Sequence, residues 1–129
     1  MMRTILKALS LLVLPLFLAS CATSSLTNLT PSTYPRNATG QYMVEMEMDT
    51  TQQTLIPSSL NPMVVIGFDS YPMRPTAMMN NRWETVVPVP AAEKFVHYHF
   101  KVDYEYNSIG KPQKGSKLSQ GYTVEIVDR

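Results

Sequence analysis

The chain is poor in the residues that most often carry covalent and metal chemistry. Its 129 residues include a single cysteine, two histidines and only five glycines. One cysteine excludes an internal disulfide and any zinc site built from several thiolates. There is no glycine-rich phosphate loop, no Gly-x-Ser-x-Gly elbow and no His-Glu-x-x-His motif, so we expect no enzyme and no cofactor. A chain of this length has room for one domain.

An excess of charge of one sign is also missing. Residues 1–20 contain Arg3 and Lys7 and no acid, so the other 109 residues carry nine basic and ten acidic side chains, a formal net charge of −1. A nucleic-acid-binding surface needs a concentration of positive charge. We therefore expect no nucleic acid among the partners.

The first twenty residues combine a positively charged start with an apolar run. Leu9–Leu18 has about the length of the apolar region of a secretory signal peptide and is too short to cross a bilayer comfortably. The residues Leu18, Ala19, Ser20 and Cys21 resemble the lipobox of bacterial lipoproteins. That resemblance implies a signal peptide over residues 1–20, recognised by its peptidase through Leu18, Ala19 and Ser20, and a lipid on Cys21.

A lipid on Cys21 would fix where the protein resides. The lipoprotein family carries a diacylglyceryl thioether on this cysteine and commonly a further acyl chain on its amino group, and two or more chains anchor a protein stably. Residue 22 is Ala rather than Asp, which in that family favours the outer membrane of a cell with two membranes. We expect a cell-envelope protein with the membrane as a partner through Cys21. The alternative is an ordinary secretory signal that leaves Cys21 a free thiol.

After the cysteine, the pattern divides into a polar segment and a series of strands. Residues 21–39 are rich in Thr, Ser, Asn and Pro and predict a short flexible tether, in which Leu26 and Leu29 fit a first edge strand. From residue 40 onward apolar and polar side chains alternate, as in strands with one buried face. The predicted strands are 42–48, 63–68, 83–89, 95–106 and 122–127.

These strands predict an all-β fold, an antiparallel immunoglobulin-like β-sandwich over residues 40–129, because no helical apolar stripe accompanies them. Trp83–Pro90 and the long strand after it also resemble early-set immunoglobulin-like modules, some of which accompany glycan-active enzymes. Met46 and Met48 share the inward face, which favours core filling over copper binding. The predicted core is Tyr42, Val44, Val65, Trp83, Val87, Val102, Tyr104, Val124 and Ile126.

Two histidines are candidates for a metal site. His97 and His99 are two apart on one predicted strand, so both project from the same face, and a zinc or copper site would need a third ligand. A solvated strand face explains the same histidines without a metal. The candidates for the third ligand are Glu45, Glu47 and Asp103.

The function expected from the sequence is that of a membrane-anchored envelope lipoprotein acting as a non-enzymatic structural or interaction module, with an envelope protein or glycan as its unidentified partner. One alternative is a small glycan-binding module, and another is a periplasmic metal-binding protein that uses His97 and His99. A glycan or peptide could bind a platform of aromatic side chains outside the predicted core. Those aromatic residues are Tyr34, Phe68, Tyr71 and Phe95.

Overall fold

The structure is a computed structural model that describes residues 23–128. The predicted signal peptide, the lipobox residues Leu18, Ala19 and Ser20, and Cys21 lie outside the described residues. Within residues 23–128, no helix is long and apolar enough to span a membrane. The strands in this range are β1 (Ser24–Asn28), β2 (Thr33–Pro35), β3 (Gln41–Thr50), β4 (Asn61–Ile66), β5 (Asp69–Pro72), β6 (Arg74–Pro75), β7 (Arg82–Pro88), β8 (Phe95–Tyr106), β9 (Gln113–Leu118) and β10 (Tyr122–Val127).

The strands form two sheets that pack face to face. One sheet has the order β1-β3-β7-β6 and is antiparallel throughout. The other has the order β2-β10-β8-β4-β5, with a parallel β2–β10 pair, and β9 pairs with the second half of β8. With β1, β3, β7 and β6 as strands A, B, E and D, and β10, β8, β4 and β5 as strands G, F, C and C′, this is the strand order of immunoglobulin sandwiches. The G strand is divided into β9 and β10. The predicted all-β, immunoglobulin-like sandwich is confirmed.

The core follows from the alternation along the two longest strands. In β3 and β8, every second side chain points between the sheets, and burying a large apolar side chain contributes about 1.5–3 kcal/mol. Six of the predicted core residues are buried, namely Tyr42, Val44, Val87, Val102, Val124 and Ile126. The other buried apolar residues are Met46, Met48, Val64, Met73, Val89, Val96, Tyr98 and Phe100.

Three predicted core residues are not part of the buried core. Val64 is buried, and its neighbour Val65 is half-buried on the outer face, because the run from Met63 to Ile66 is apolar on both faces. Trp83 is half-buried and packs against the margin of the core, where β6 is only two residues long. Tyr104 is half-buried because β4 pairs with β8 no further than Asp103, so Tyr104 lies in the part of the β8–β9 hairpin that extends beyond β4.

The folded part of the chain begins before residue 40. Both β1 and β2 fall within the predicted tether, and β1 pairs with β3 from Ser24, opposite Thr50. The amide of Asn28 donates a hydrogen bond of 2.9 Å to the Tyr98 hydroxyl, which joins the two sheets. The predicted edge strand is present and contains Leu26, but it ends at Asn28, before Leu29. The residues from Ser24 onward are therefore not a free tether.

The register places the connections at two opposite ends. Because β1 is antiparallel to β3, Thr23 lies at the end of the sandwich where β3 finishes, which we call the amino-terminal end. The β3–β4, β6–β7 and β8–β9 connections lie at this end. The β2–β3, β4–β5 and β7–β8 connections lie at the other end, which we call the distal end.

Candidate functional site

A groove opens at the distal end, between the β4–β5 turn and the β7–β8 connection. Its volume is about 770 Å³, which lies within the range of small-ligand pockets. Most of its lining is apolar or aromatic. The side chains that give the groove its chemistry are Ile66, Tyr71, Val89, Phe95, Asp69, Glu93 and His97.

The groove forms because two neighbouring strands separate at the distal end. The last pair between β4 and β8 joins Val65 to His99, after which β4 turns at Gly67 (φ 60°) into β5, while β8 extends back to Phe95. The sheet therefore lacks a β4 neighbour beside the first residues of β8. A positive φ favours glycine, so Gly67 allows the tight turn that opens this gap.

The opposite wall is held by a short, hydrogen-bonded segment of the other sheet. Gly40 has a φ of 67°, and its carbonyl accepts a 2.8 Å hydrogen bond from the backbone amide of Val89. The Asn37 side-chain oxygen accepts a 2.8 Å bond from the Gly40 amide. Pro88 and Pro90 flank Val89, and each proline ring fixes its backbone φ. The backbone of this wall is therefore held in one conformation.

The charged side chains that line the groove carry one sign. Asp69 and Glu93 are acidic, and neither Lys nor Arg lines the groove. The Nδ1 atom of His97 lies 2.8 Å from the Thr123 hydroxyl, so this ring has a fixed neighbour on β10. Two carboxylates beside an apolar surface favour a neutral or basic ligand over an anionic one.

Two of the four predicted platform aromatics line the groove. Phe95 is 53% exposed at its rim, and Tyr71 is half-buried in its wall. Phe68 lies in the adjoining β4–β5 turn and is fully exposed, in contrast to the prediction that it ends a strand. Tyr34 lies elsewhere, with its ring 5.5 Å from that of Tyr42.

Tyr34 instead joins the two sheets. Its hydroxyl donates a 2.7 Å hydrogen bond to the backbone carbonyl of Met43 on β3. Burial raises the pKa of the Tyr34 hydroxyl above its usual value, and the negative charge of Glu45 raises that pKa further. Both effects disfavour the phenolate, so the hydroxyl stays a hydrogen-bond donor.

His97 and His99 share the outer face of β8, as the sequence predicts, but the predicted third ligands lie elsewhere. Glu45 and Glu47 belong to β3 in the other sheet. Asp103 accepts a hydrogen bond from Ser116 and pairs with Lys101 at 3.7 Å. Among residues 23–128, no three His, Cys, Asp or Glu side chains lie close enough together to hold a metal ion.

Several groove residues were not predicted from the sequence as binding residues. Ile66, Asp69 and Glu93 lie in or beside connections, and no periodic pattern marks them. The sequence does contain turn-forming residues next to them, namely Gly67 and the Pro88–Pro90 segment. Which connections meet at one end depends on the strand register, which those turn signals do not encode.

Comparison of the chain with protein-family models, with curated proteins and with solved structures found no match. The class is defined by the fold and the groove of residues 23–128: an immunoglobulin-like β-sandwich with an apolar, acidic-rimmed groove at the distal end, opposite Thr23. Immunoglobulin-like sandwiches serve many functions, so the fold alone does not identify the function of this one.

Proposed function

We propose that the protein is a lipoprotein of a bacterial envelope, anchored through a lipid on Cys21, that acts as a non-enzymatic interaction module. Its signal peptide ends at Ser20, and Ala22 favours the outer membrane in a cell with two membranes. The distal groove binds a neutral or basic, largely apolar segment of another envelope protein.

The observation that carries this proposal is the position of the groove relative to the first described residue, Thr23. Thr23, two residues after Cys21, lies at the amino-terminal end of the sandwich, and the groove lies at the distal end. A lipid on Cys21 holds the amino-terminal end at the membrane. The groove then faces away from the bilayer, where a partner in the aqueous envelope reaches it.

The groove also has the chemistry expected of a peptide-binding site. Phe95 and half-buried Ile66 offer apolar surface, and each buried methylene of a partner side chain contributes about 0.8 kcal/mol. Asp69 and Glu93 can pair with a basic residue of the partner, which gives selectivity more than affinity.

Photo-crosslinking in the native envelope tests the role of the groove. A benzoylphenylalanine placed at position 95 of the full chain should give a discrete crosslinked product with a polypeptide. The same group at Leu118 provides a matched control, since Phe95 is 53% and Leu118 60% exposed and Leu118 lies away from the groove. Reversal of both groove charges, by Asp69→Lys with Glu93→Lys, should strongly reduce the position-95 product.

Three outcomes would contradict the proposed use of the groove. The first is equal crosslinking from positions 95 and 118, and the second is a product that the charge reversal does not change. The third is an adduct that resists protease and is released by a glycan-cleaving enzyme. This third result would favour the glycan-binding alternative, for which exposed Phe95 supplies a stacking surface.

A further inference from the structure

Two connections at the amino-terminal end carry fully exposed apolar side chains at their tips. Met78 in the β6–β7 connection and Ile109 in the β8–β9 connection are each 103% exposed, and Met79 is 44% exposed. Met78 also has a φ of 62°, a left-handed conformation that is uncommon for residues other than glycine. We call these two connections, residues 76–81 and 107–112, the membrane-side tips.

Backbone hydrogen bonds link both tips to the start of the described chain. Thr23 accepts a 2.8 Å bond from the amide of Thr51, at the beginning of the β3–β4 connection. Further along this connection, the Thr54 carbonyl accepts a 2.8 Å bond from the amide of Asn107 in the β8–β9 tip. The Asn81 carbonyl, in the β6–β7 tip, accepts a bond of 2.9 Å from the backbone of β3. Thr23 and both tips therefore belong to one hydrogen-bonded end of the sandwich.

The chain leaves little length between this end and Cys21. β1 begins at Ser24, so only Ala22 separates Thr23 from the cysteine. Two residues span at most about 7 Å even when fully extended. A lipid on Cys21 would therefore hold the amino-terminal end directly against the bilayer surface, without a stalk to separate them.

The positive charge of the β8–β9 hairpin favours anionic lipids as its ligands. Residues 107–121 contain Lys111, Lys114 and Lys117 and no acidic residue. Lys111 and Lys114 are exposed, and within the described residues none of the three lysines forms a salt bridge. Glu105 on β8 lies directly opposite Lys114 and Asp103 lies opposite Ser116, whereas the tip that holds Lys111 contains no acid. Basic residues close to an anionic membrane surface strengthen binding to it.

We propose that the membrane-side tips form a second membrane contact, in which Met78 and Ile109 enter the headgroup region of the bilayer. Lys111 and Lys114, at the tip end of the β8–β9 hairpin, bind the phosphates of anionic lipids. This contact orients the sandwich upright and directs the distal groove away from the membrane. The inference rests on the lipid at Cys21 in the function proposed above.

Fluorescence of a site-specific probe tests the contact in the full-length, lipidated protein. Ile109→Cys is labelled with an environment-sensitive nitrobenzoxadiazole dye, and the protein is reconstituted into vesicles that contain nitroxide-labelled lipid. Phe68→Cys provides the matched control, because Phe68 is 107% exposed and lies in the β4–β5 turn at the distal end. The intact mass is measured first, since a lipid on Cys21 also blocks that thiol from the dye.

The expected result is quenching of the dye at position 109 and none at position 68. Quenching should be stronger in vesicles of phosphatidylcholine with phosphatidylglycerol than in phosphatidylcholine alone. Replacement of these two lysines, Lys111→Gln and Lys114→Gln, should remove this difference, because each lysine near an anionic surface strengthens binding about fivefold. Lys117→Gln should leave the difference in place, since Lys117 lies opposite Val102, four residue pairs from the tip end of the hairpin.

The remaining outcomes separate this inference from the proposed function. A lipid on Cys21 with no quenching at position 109, or with equal quenching at both positions, overturns the contact and leaves the anchor in place. Equal quenching of position 109 in the two kinds of vesicle overturns the role of the lysines. A mass without lipid on Cys21 overturns the proposed anchor, and the membrane contact with it.

Discussion

Truncation of Phe100 tests the packing of the sandwich most directly. This side chain is 0% exposed, and its ring lies 5.7 Å from that of Tyr98 and 5.8 Å from that of Tyr122. Truncation of a buried Phe to Ala costs about 3–5 kcal/mol, because apolar contacts are lost and a cavity remains. Small domains have a total stability of about 5–15 kcal/mol. Phe100→Ala should therefore remove a large share of the stability.

Phe95→Ala is the matched control for this prediction. Phe95 lies on the same strand but is 53% exposed, so its truncation should cost about 1 kcal/mol or less. Both variants are compared by guanidinium unfolding of residues 23–129, followed by the fluorescence of Trp83. Phe100→Ala should lower the midpoint without changing the denaturant slope, and should lower the melting temperature by roughly 15–25 °C. An equal loss in the two variants would refute the assignment of the inner and outer faces of β8.

The remaining predictions concern single contacts. Folding raises the pKa of Tyr34 above the value of 10.0 for an unperturbed tyrosine, so the folded protein keeps this proton to a higher pH than the unfolded chain does. The free energy of unfolding should therefore fall as the pH rises above about 10. Tyr34→Phe should remove that part of the alkaline slope in unfolding experiments, and an unchanged slope would refute it. Asp128→Asn breaks a 2.6 Å surface ion pair with Arg36 and should cost at most about 1 kcal/mol, with a smaller loss at high salt. Gly115→Ala would place a Cβ 2.7 Å from the Tyr104 ring, so it should destabilise the domain and become neutral or stabilising in a Tyr104→Ala background. Cys21→Ser should lose the lipid mass and leave the membrane fraction on cell fractionation, and an unaltered distribution would argue against the anchor.

The strands with clear alternation could be predicted from the sequence. Phe95–Tyr106 is a strand at the bounds that the pattern predicts, and Tyr122–Val127 is another. In each, apolar side chains occur at every second position, and only an extended chain puts them on one face. Tyr71 and Phe95 of the groove are identified in the sequence as aromatic residues outside the predicted core, and His97 by its two-residue spacing from His99, as a metal ligand and not as a groove residue.

The short edge strands could not be predicted with their partners. β2, β5 and β6 have only two to four residues, and each pairs with a single neighbour. Their polar and proline-containing segments are typical of loops as well as of blunted sheet edges. Their assignment depends on pairing with strands that are distant in the sequence.

By itself, the sequence determined the all-β class and most of the core, because alternation is a local property of an extended chain. It also contains the lipobox-like segment at Cys21, which is a local pattern of consecutive residues. Only the tertiary structure decided that Val64 and not Val65 is buried, since an apolar run fits either face until a neighbouring strand sets its orientation. Likewise, only the register brings Asp69, Glu93 and Phe95 to one groove at the end opposite Thr23, because side chains far apart in the chain become neighbours only when the strands pair.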